Sequence, residues 1–282
     1  LDNYSFYQDD LVGDEVGIPL YFLGKKTNNS KIKVVQVGEG ADELFYGYDH
    51  WNRYLKLNKF FKPFFKSTKK YSSFKNHRLN MLSNILFNRT SFAGGALGFN
   101  LKELDSLIKD GLPNHSDLIF YADNKWKDYF SNKNSKISKW MTLIDLKIRL
   151  PELLLMRMDK LVMQSAVEAR VPFLDHKLVE YVLSLPEELL IDLTNTKSLL
   201  KKVALKYLPD QIINRKKQGF RAPIGEWIKK DEEKFYESVQ QFNSLVNLFN
   251  ERELNHILNG NDYQKKWYLI NLSNWHLARV AN

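Results

Sequence analysis

The sequence predicts an α/β protein in which helix predominates. Three observations carry that reading. Residues 32–37, Ile-Lys-Val-Val-Gln-Val, form a short β-rich run bounded by Asn28-Asn29-Ser30 and by Gly38, the pattern of a buried strand between turn signals. Elsewhere apolar residues recur at helical spacing, as Leu199, Leu200, Val203, Ala204, Tyr207 and Leu208 do. The composition is 44% hydrophobic and 27% charged, with 18 Phe, 14 Tyr and 6 Trp among 282 residues. That is enough apolar surface for a buried core and argues against disorder.

Taken in order, Pro19 fits a first helical position, with Leu20, Phe22 and Leu23 following. After the strand, Gly38-Glu39-Gly40 reads as a turn and residues 41–57 as a helix. Residues 58–75 mix Phe and Lys around Pro63, residues 76–87 read as helix, and 92–98 as a glycine-rich turn region. Helices are expected over 101–110, 115–130 and 139–166, the last broken or restarted at Pro151. Pro172 forces an extended segment, and Asp175 is a good N-cap for a helix over 176–185. Thr196 can cap the next helix, which Pro209 stops, and two further helices are expected over 231–258 and 263–280. A lone strand cannot make a sheet, because its edges need partners. Either short strands escape the pattern or the rest of the sheet is encoded upstream of Leu1.

Composition also excludes several chemistries. With no cysteine, the chain has no disulfide, no thiolate metal site and no cysteine nucleophile. No apolar run reaches the roughly 18 residues of a membrane span. The best stretch, 143–163, is broken by Asp145, Lys147, Arg149, Glu152, Arg157, Asp159 and Lys160. The formal charge is +9, from 42 Lys plus Arg against 33 Asp plus Glu. The lysines are spread along the chain without a localised stripe, which favours an ordinary solvated surface over nucleic-acid binding. No internal repeat of fixed period is visible.

Three segments could carry chemistry. In Val37-Gly38-Glu39-Gly40-Ala41-Asp42-Glu43-Leu44-Phe45 a strand runs through a Gly-x-Gly turn into a helix. Glycines let the backbone approach a ligand, and a following helix offers free N–H groups to anions. Glu39, Asp42 and Glu43 are hard oxygen donors suited to Mg²⁺, which suits a nucleoside triphosphate. The plainer reading is that Asp42 and Glu43 decorate a helix N-terminus. The segment is neither a Walker loop nor a dinucleotide fingerprint, since no Gly-Lys-Ser/Thr and no third glycine follow. In the second segment, Arg157 and Lys160 lie three apart inside an apolar helix, and such charges need partners. Asp159, Glu168, Arg170 and Asp175 could supply a buried ion network, a structural role at least as natural as a ligand site. The third, Asn214-Arg215-Lys216-Lys217-Gln218-Gly219-Phe220, is a basic loop that is either solvated or reaches over a phosphate.

The order of these segments resembles that of the glutamine-dependent asparagine synthetases and the related β-lactam synthetases. Val37 to Tyr48 (VGEGADELFYGY) is similar to their Gly-Glu/Asp-Gly-x-Asp-Glu-Leu-Phe-x-Gly-Tyr signature. Asp9 to Pro19 (DDLVGDEVGIP), residues 153–175 and residues 215–227 (RKKQGFRAPIGEW) match three further family segments in the same order. The resemblance implies a partial adenine-nucleotide alpha-hydrolase-like (PP-loop ATPase) core with a helical C-terminal region. It implies that residues 1–282 form a synthetase domain: 1–57 from the nucleotide-binding core, 58–140 a helical insertion, and 141–282 completing the active site. It also implies ATP and Mg²⁺ as cofactors, and adenylation of the side-chain carboxylate of aspartate followed by displacement of AMP by ammonia. By the motif match, Asp42 binds Mg²⁺, Gly38 and Gly40 line the nucleotide, and Glu39 takes a proton from the attacking ammonium. Lys217 steadies the pyrophosphate. Arg157 and Arg170 are given structural roles only. The expected setting is cytoplasmic, with a homodimer possible and no nucleic-acid or membrane partner.

The chain departs from the family pattern in places. The Ser-Gly-Gly-x-Asp-Ser pyrophosphate loop and the cysteine of the glutaminase domain are absent from the 282 residues. The expectation is therefore a piece beginning after that loop, which binds ATP weakly and is inactive alone. Val37 stands where a Ser is common and Tyr46 where a Gly is common. Either could mark a relative that amidates another acid, such as a sugar acid of surface polysaccharide. A non-catalytic helical binding module is the alternative from another class, against which Glu39, Asp42 and Lys217 all argue, since stability does not require the three together.

Overall fold

The computed structural model of the chain describes residues 4–5, 8, 10–61, 98–112, 136–215 and 222–280. Helix α1 (Gly17–Asn29) leads into strand β1 (Val34–Gln36). The Gly38–Gly40 turn follows, then the single-turn α2 (Ala41–Leu44) and α3 (Asp49–Phe61). The helix expected over 41–57 is thus divided at Tyr46, whose φ of 54° is left-handed. Such a backbone costs a non-glycine residue about 1 kcal/mol or more. Core packing offsets it: the ring is buried edge-on to Trp51, with centroids 5.5 Å apart. The bulky side chain at the common glycine position therefore points into the core and away from the turn.

Helix α4 (Leu101–Leu107) begins with a capping box, Asn100 accepting from the Glu103 N–H at 3.0 Å and the Glu103 carboxylate accepting from the Asn100 N–H at 3.0 Å. Helix α5 (Ile137–Ile144) passes without a break into a π-helical stretch, Asp145–Leu155, and on into α6 (Met156–Met163). The break or new helix start expected at Pro151 does not occur. In an α-helix its ring would press on the carbonyl four residues back. The wider π register relieves that conflict and keeps the rod continuous.

Strand β2 (Glu168–Arg170) pairs parallel with β1, Val34 opposite Glu168 and Gln36 opposite Arg170. The pairing extends to the Val37 N–H, which donates to the Arg170 carbonyl at 2.9 Å. Three residues are too short a run for period-two patterning, which is why the sequence hides β2. A 3₁₀ turn, Pro172–Leu174, then leads to α7 (His176–Ser184). Asp175 caps α7 as expected, accepting from the N–H groups of Lys177 and Leu178 at 3.0 and 3.3 Å.

Short helices α8 (Glu187–Leu190), α9 (Ser198–Ala204), α10 (Asp210–Ile213) and α11 (Ile224–Lys230) follow. Lys197, not Thr196, is the residue at the head of α9. The helix expected over 231–258 is two helices, α12 (Glu232–Val246) and α13 (Glu251–Asn259). Asn243 makes the break. Its buried amide accepts from the Phe249 N–H at 2.7 Å and donates to the Phe249 carbonyl at 3.2 Å, while Asn247 takes the left-handed conformation. Helix α14 (Tyr263–Val280) matches expectation. The helices expected over 76–87 and 115–130, and the turn region at 92–97, lie outside the described residues.

Two main apolar clusters form the core. One joins α1, α6, α12, α13 and α14 around Tyr21, Leu161, Phe242, Trp267 and Ile270. The other gathers Leu44, Phe45, Tyr46, Trp51, Tyr54, Met141 and Val182. The paired strands pack on the first cluster through Val35, Val37 and Ala169, and Phe173 of the turn after β2 packs on the second. The strand expected to be buried is exposed at Val34 and Gln36, because among the described residues only one partner strand and one cluster cover it. No described helix is long and apolar enough to cross a membrane.

Candidate active site

Where parallel strands end together, the crevice past their carboxyl ends is the usual place for a ligand. Here the Gly38–Gly40 turn follows β1 and the Pro172–Leu174 turn follows β2, so both leave the strand pair at that end. Gly40 has φ 92°, and a Cβ on it would run into the Leu174 side chain, so both the backbone and the space require glycine. Gly38 is different: a Cβ there would meet open space, leaving its backbone approachable from outside. Helix α2 is one turn long, so the helix dipole anticipated at this turn contributes little. The positive charge comes instead from side chains carried by other elements.

Asp42 and Glu43 are adjacent but take different partners. Asp42 Oδ1 lies 3.1 Å from Lys197 Nζ, both side chains about a quarter exposed. Lys197 has φ 54°. The loop before it is tied by Asp192, whose carboxylate accepts from the Thr194 N–H at 2.8 Å and the Thr194 hydroxyl at 2.5 Å. Asn52 Nδ2 donates to the Asp192 carbonyl at 3.3 Å and anchors the loop on α3. Gly47 seats the ion pair, since a Cβ there would collide with the Asp42 carboxylate and the Lys197 stem.

Glu43 is buried. It accepts from Tyr48 Oη at 2.5 Å and from Arg149 Nη2 at 3.1 Å. Arg149, from the π-helical stretch, also donates to the fully buried Asp145 at 2.6 Å. Its guanidinium lies 4.6 Å from the centre of the Tyr48 ring. Burial pushes the Asp145 carboxyl up to about 6 against the opposing pull of Arg149. The Tyr48 hydroxyl is likewise pushed up, chiefly by burial.

Glu39 accepts from Arg157 Nη2 at 3.3 Å, and Arg157 Nη1 also donates to Asp14. Burial pushes the Glu39 carboxyl up, Arg157 pulls it back, and the negative charges of Glu43 and Asp42 push it up further. Asp14 belongs to the Asp9–Pro19 segment, so three separated motifs meet at one turn. The buried network foreseen among Asp159, Glu168, Arg170 and Asp175 does not form. Asp159 is exposed, Glu168 and Arg170 pair with each other on the surface at 2.7 Å, and Asp175 caps α7. The buried ion pairs lie instead at Arg149 and Arg157.

Of the residues singled out from sequence, Gly38, Glu39, Gly40 and Asp42 share this turn. Lys217 and the rest of 216–221 lie outside the described residues. Lys197 carries no signal in the sequence, sitting in the run Leu193-Thr194-Asn195-Thr196-Lys197 with nothing to distinguish it. Arg149 and Arg157 did carry a signal, as charges inside an apolar helix. Asp42 supplies a hard oxygen whose position already accommodates a cation, the Lys197 ammonium, and in that respect it fits Mg²⁺. No cluster of three or more His, Cys, Asp or Glu is placed to hold a metal ion among the described residues.

A protein-family model described as asparagine synthase matches residues 1–277. The chain is 30% identical over 249 residues to asparagine synthetase [glutamine-hydrolyzing] 1 of Bacillus subtilis, covering 86% of this chain and 38% of that protein. It is 30% identical over 302 aligned positions to a putative asparagine synthetase [glutamine-hydrolyzing] of Mycobacterium bovis, covering all of this chain and 45% of that protein. Asparagine synthetase [glutamine-hydrolyzing] 3 of Bacillus subtilis is 26% identical over 245 residues, covering 82% of this chain and 34% of that protein. The chain spans less than half the length of these curated relatives.

Proposed function

The chain belongs to the asparagine synthase family, and from that premise we propose that it carries the ATP-dependent amidation half of such an enzyme. A carboxylic acid, aspartate in the first reading, attacks the α-phosphorus of ATP, and pyrophosphate leaves. Ammonia then attacks the acyl carbon of the adenylate, AMP leaves with the bonding pair, and Glu39 accepts the surplus proton. The observation that carries this reading is the turn itself. Glu39 and Asp42 stand on one short segment at the end of a parallel strand pair, each facing a cation from a distant element, Arg157 and Lys197.

The roles follow from charge. Asp42 would hold Mg²⁺, which offsets the charge of the triphosphate when bound and keeps most of its contacts to phosphate and water. The open space at Gly38 lets nucleotide reach the backbone. We assign Lys197, 3.1 Å from Asp42, to the leaving pyrophosphate, alongside the role assigned to Lys217. Cations fixed before reaction stabilise charge that develops on oxygen. A carboxylate held beside the nucleophile supplies general-base catalysis worth roughly a hundred- to ten-thousand-fold.

The chain contains no Ser-Gly-Gly-x-Asp-Ser sequence, so we assign it weak ATP binding and no turnover by itself. Calorimetric titration with MgATP checks this, and micromolar binding by the 282 residues would contradict it. The decisive experiment is Asp42→Ala in the natural full-length polypeptide, read by ATP–pyrophosphate exchange. Loss of exchange is expected; exchange at the unmodified rate removes Asp42 from the site and the proposed reaction with it. An acid other than aspartate is the second reading. The residue favouring it is Val37, which offers no hydroxyl beside the turn.

A further inference from the structure

Arg157 reaches two carboxylates at once. It lies on α6 with its side chain 11% exposed, one terminal nitrogen donating to Asp14 and the other to Glu39 at 3.3 Å. Its buried Nε has no hydrogen-bond partner among the described residues, so the guanidinium's charge is directed at these two acids. Asp14 is itself fixed, because its other oxygen accepts from the Val16 N–H at 2.9 Å and its carbonyl accepts from the Gly17 N–H at 3.1 Å at the head of α1. Asp14 and Glu39 therefore share one cation.

We infer that Arg157 is a positioning residue: through the Asp14–Arg157–Glu39 bridge it holds the Glu39 carboxylate ionised and fixed at the turn, with Asp14 setting the strength of its hold. The inference rests on Glu39 being the base of the proposed reaction. A half-buried carboxylate at this turn, with Asp42 and Glu43 nearby, is pushed toward its neutral form, and a protonated Glu39 cannot relieve an ammonium of its proton. Arg157 opposes that push directly. Among the described residues, the neighbouring cations Lys197 and Arg149 are engaged elsewhere, Lys197 with Asp42 and Arg149 with Glu43 and Asp145. Asp14 acts in the opposite sense, drawing the guanidinium away from Glu39.

The bridge predicts opposite consequences for its two ends. In Arg157→Met, Glu39 loses its cation and ionises at higher pH. The acidic limb of the pH profile for ammonia-dependent amide formation should move up by about one unit or more. In Asp14→Asn, Arg157 turns fully to Glu39, and the same limb should move down. Because Arg157→Met leaves two carboxylates without their cation and can lower the yield of folded protein, Arg157→Lys serves as the second variant, with an upward shift smaller than that of Met. The natural full-length polypeptide is assayed with saturating ammonium over pH 5.5–9, with Glu39→Gln in parallel. Opposite shifts at positions 14 and 157 support the bridge. Shifts of the same sign, or activity losses with an unmoved limb, overturn it while leaving Glu39 as base if Glu39→Gln is inactive. Undiminished amide formation in Glu39→Gln overturns the base assignment and the bridge together.

Discussion

Arg149→Met tests how the floor of the site is held. The guanidinium lies between Glu43 and Asp145, whose side chains are 1% and 0% exposed. Asp145 Oδ1 already has no hydrogen-bond partner among the described residues. Methionine fills much of the volume but removes the positive charge, leaving two buried carboxylates facing each other. Breaking a buried pair by deleting one partner costs about 3–5 kcal/mol. Burial this complete places the loss in that range, an unfolding temperature lower by roughly 10 °C.

The loss should depend on pH. Burial pushes the Asp145 carboxyl up to about 6 in the fold from an ordinary 3.8, so between those values the folded protein keeps a proton that the unfolded chain has released. Stability therefore falls as pH rises through that window. Without Arg149 to oppose it, the folded value rises further and the window extends upward. The gap between unmodified protein and Arg149→Met should accordingly be larger at pH 8 than at pH 5, measured by urea unfolding followed by far-UV circular dichroism. A gap below about 1 kcal/mol at pH 8, or equal gaps at the two pH values, would refute the account of a shared buried cation. Adding Glu43→Gln and Asp145→Asn to Arg149→Met should recover most of the loss.

Two smaller predictions concern local geometry. Gly47→Ala places a methyl group against Asp42 and Lys197; pyrophosphate exchange should fall by roughly a hundredfold, the effect of displacing reacting groups by about 1 Å, while unfolding temperature changes little. Asp175→Ala removes the cap of α7 and should lower stability in denaturant titration by about 1 kcal/mol.

The Gly-x-Gly turn could be read from sequence because its chemistry is local: glycines, carboxylates and the end of an apolar run lie within nine residues. The partners of those carboxylates could not. Arg157 reaches Glu39 across 118 positions, and Arg149 reaches Glu43 across 106, and nothing near any of them specifies the pairing. Strand β2 was hidden because its alternation spans only three residues, too short a run to be told from loop. The division of the 41–57 segment at Tyr46 was hidden by propensity. Tyrosine disfavours the left-handed conformation it adopts, and only its burial against Trp51 accounts for it. Pro151 misled in the other direction, because the rule that proline breaks helices assumes α-helical winding.

The continuous rod from Ile137 to Met163 carries Arg149 and Arg157 eight residues apart. It grips the segment from Glu39 to Glu43 at both ends. The spacing between the two arginines is thus a calibrated length. Deleting one intervening residue would swing the second guanidinium about a quarter of a revolution relative to the first, and only one of the two handholds could be kept. Evolution can exchange side chains along this rod more freely than it can change the number of residues between them.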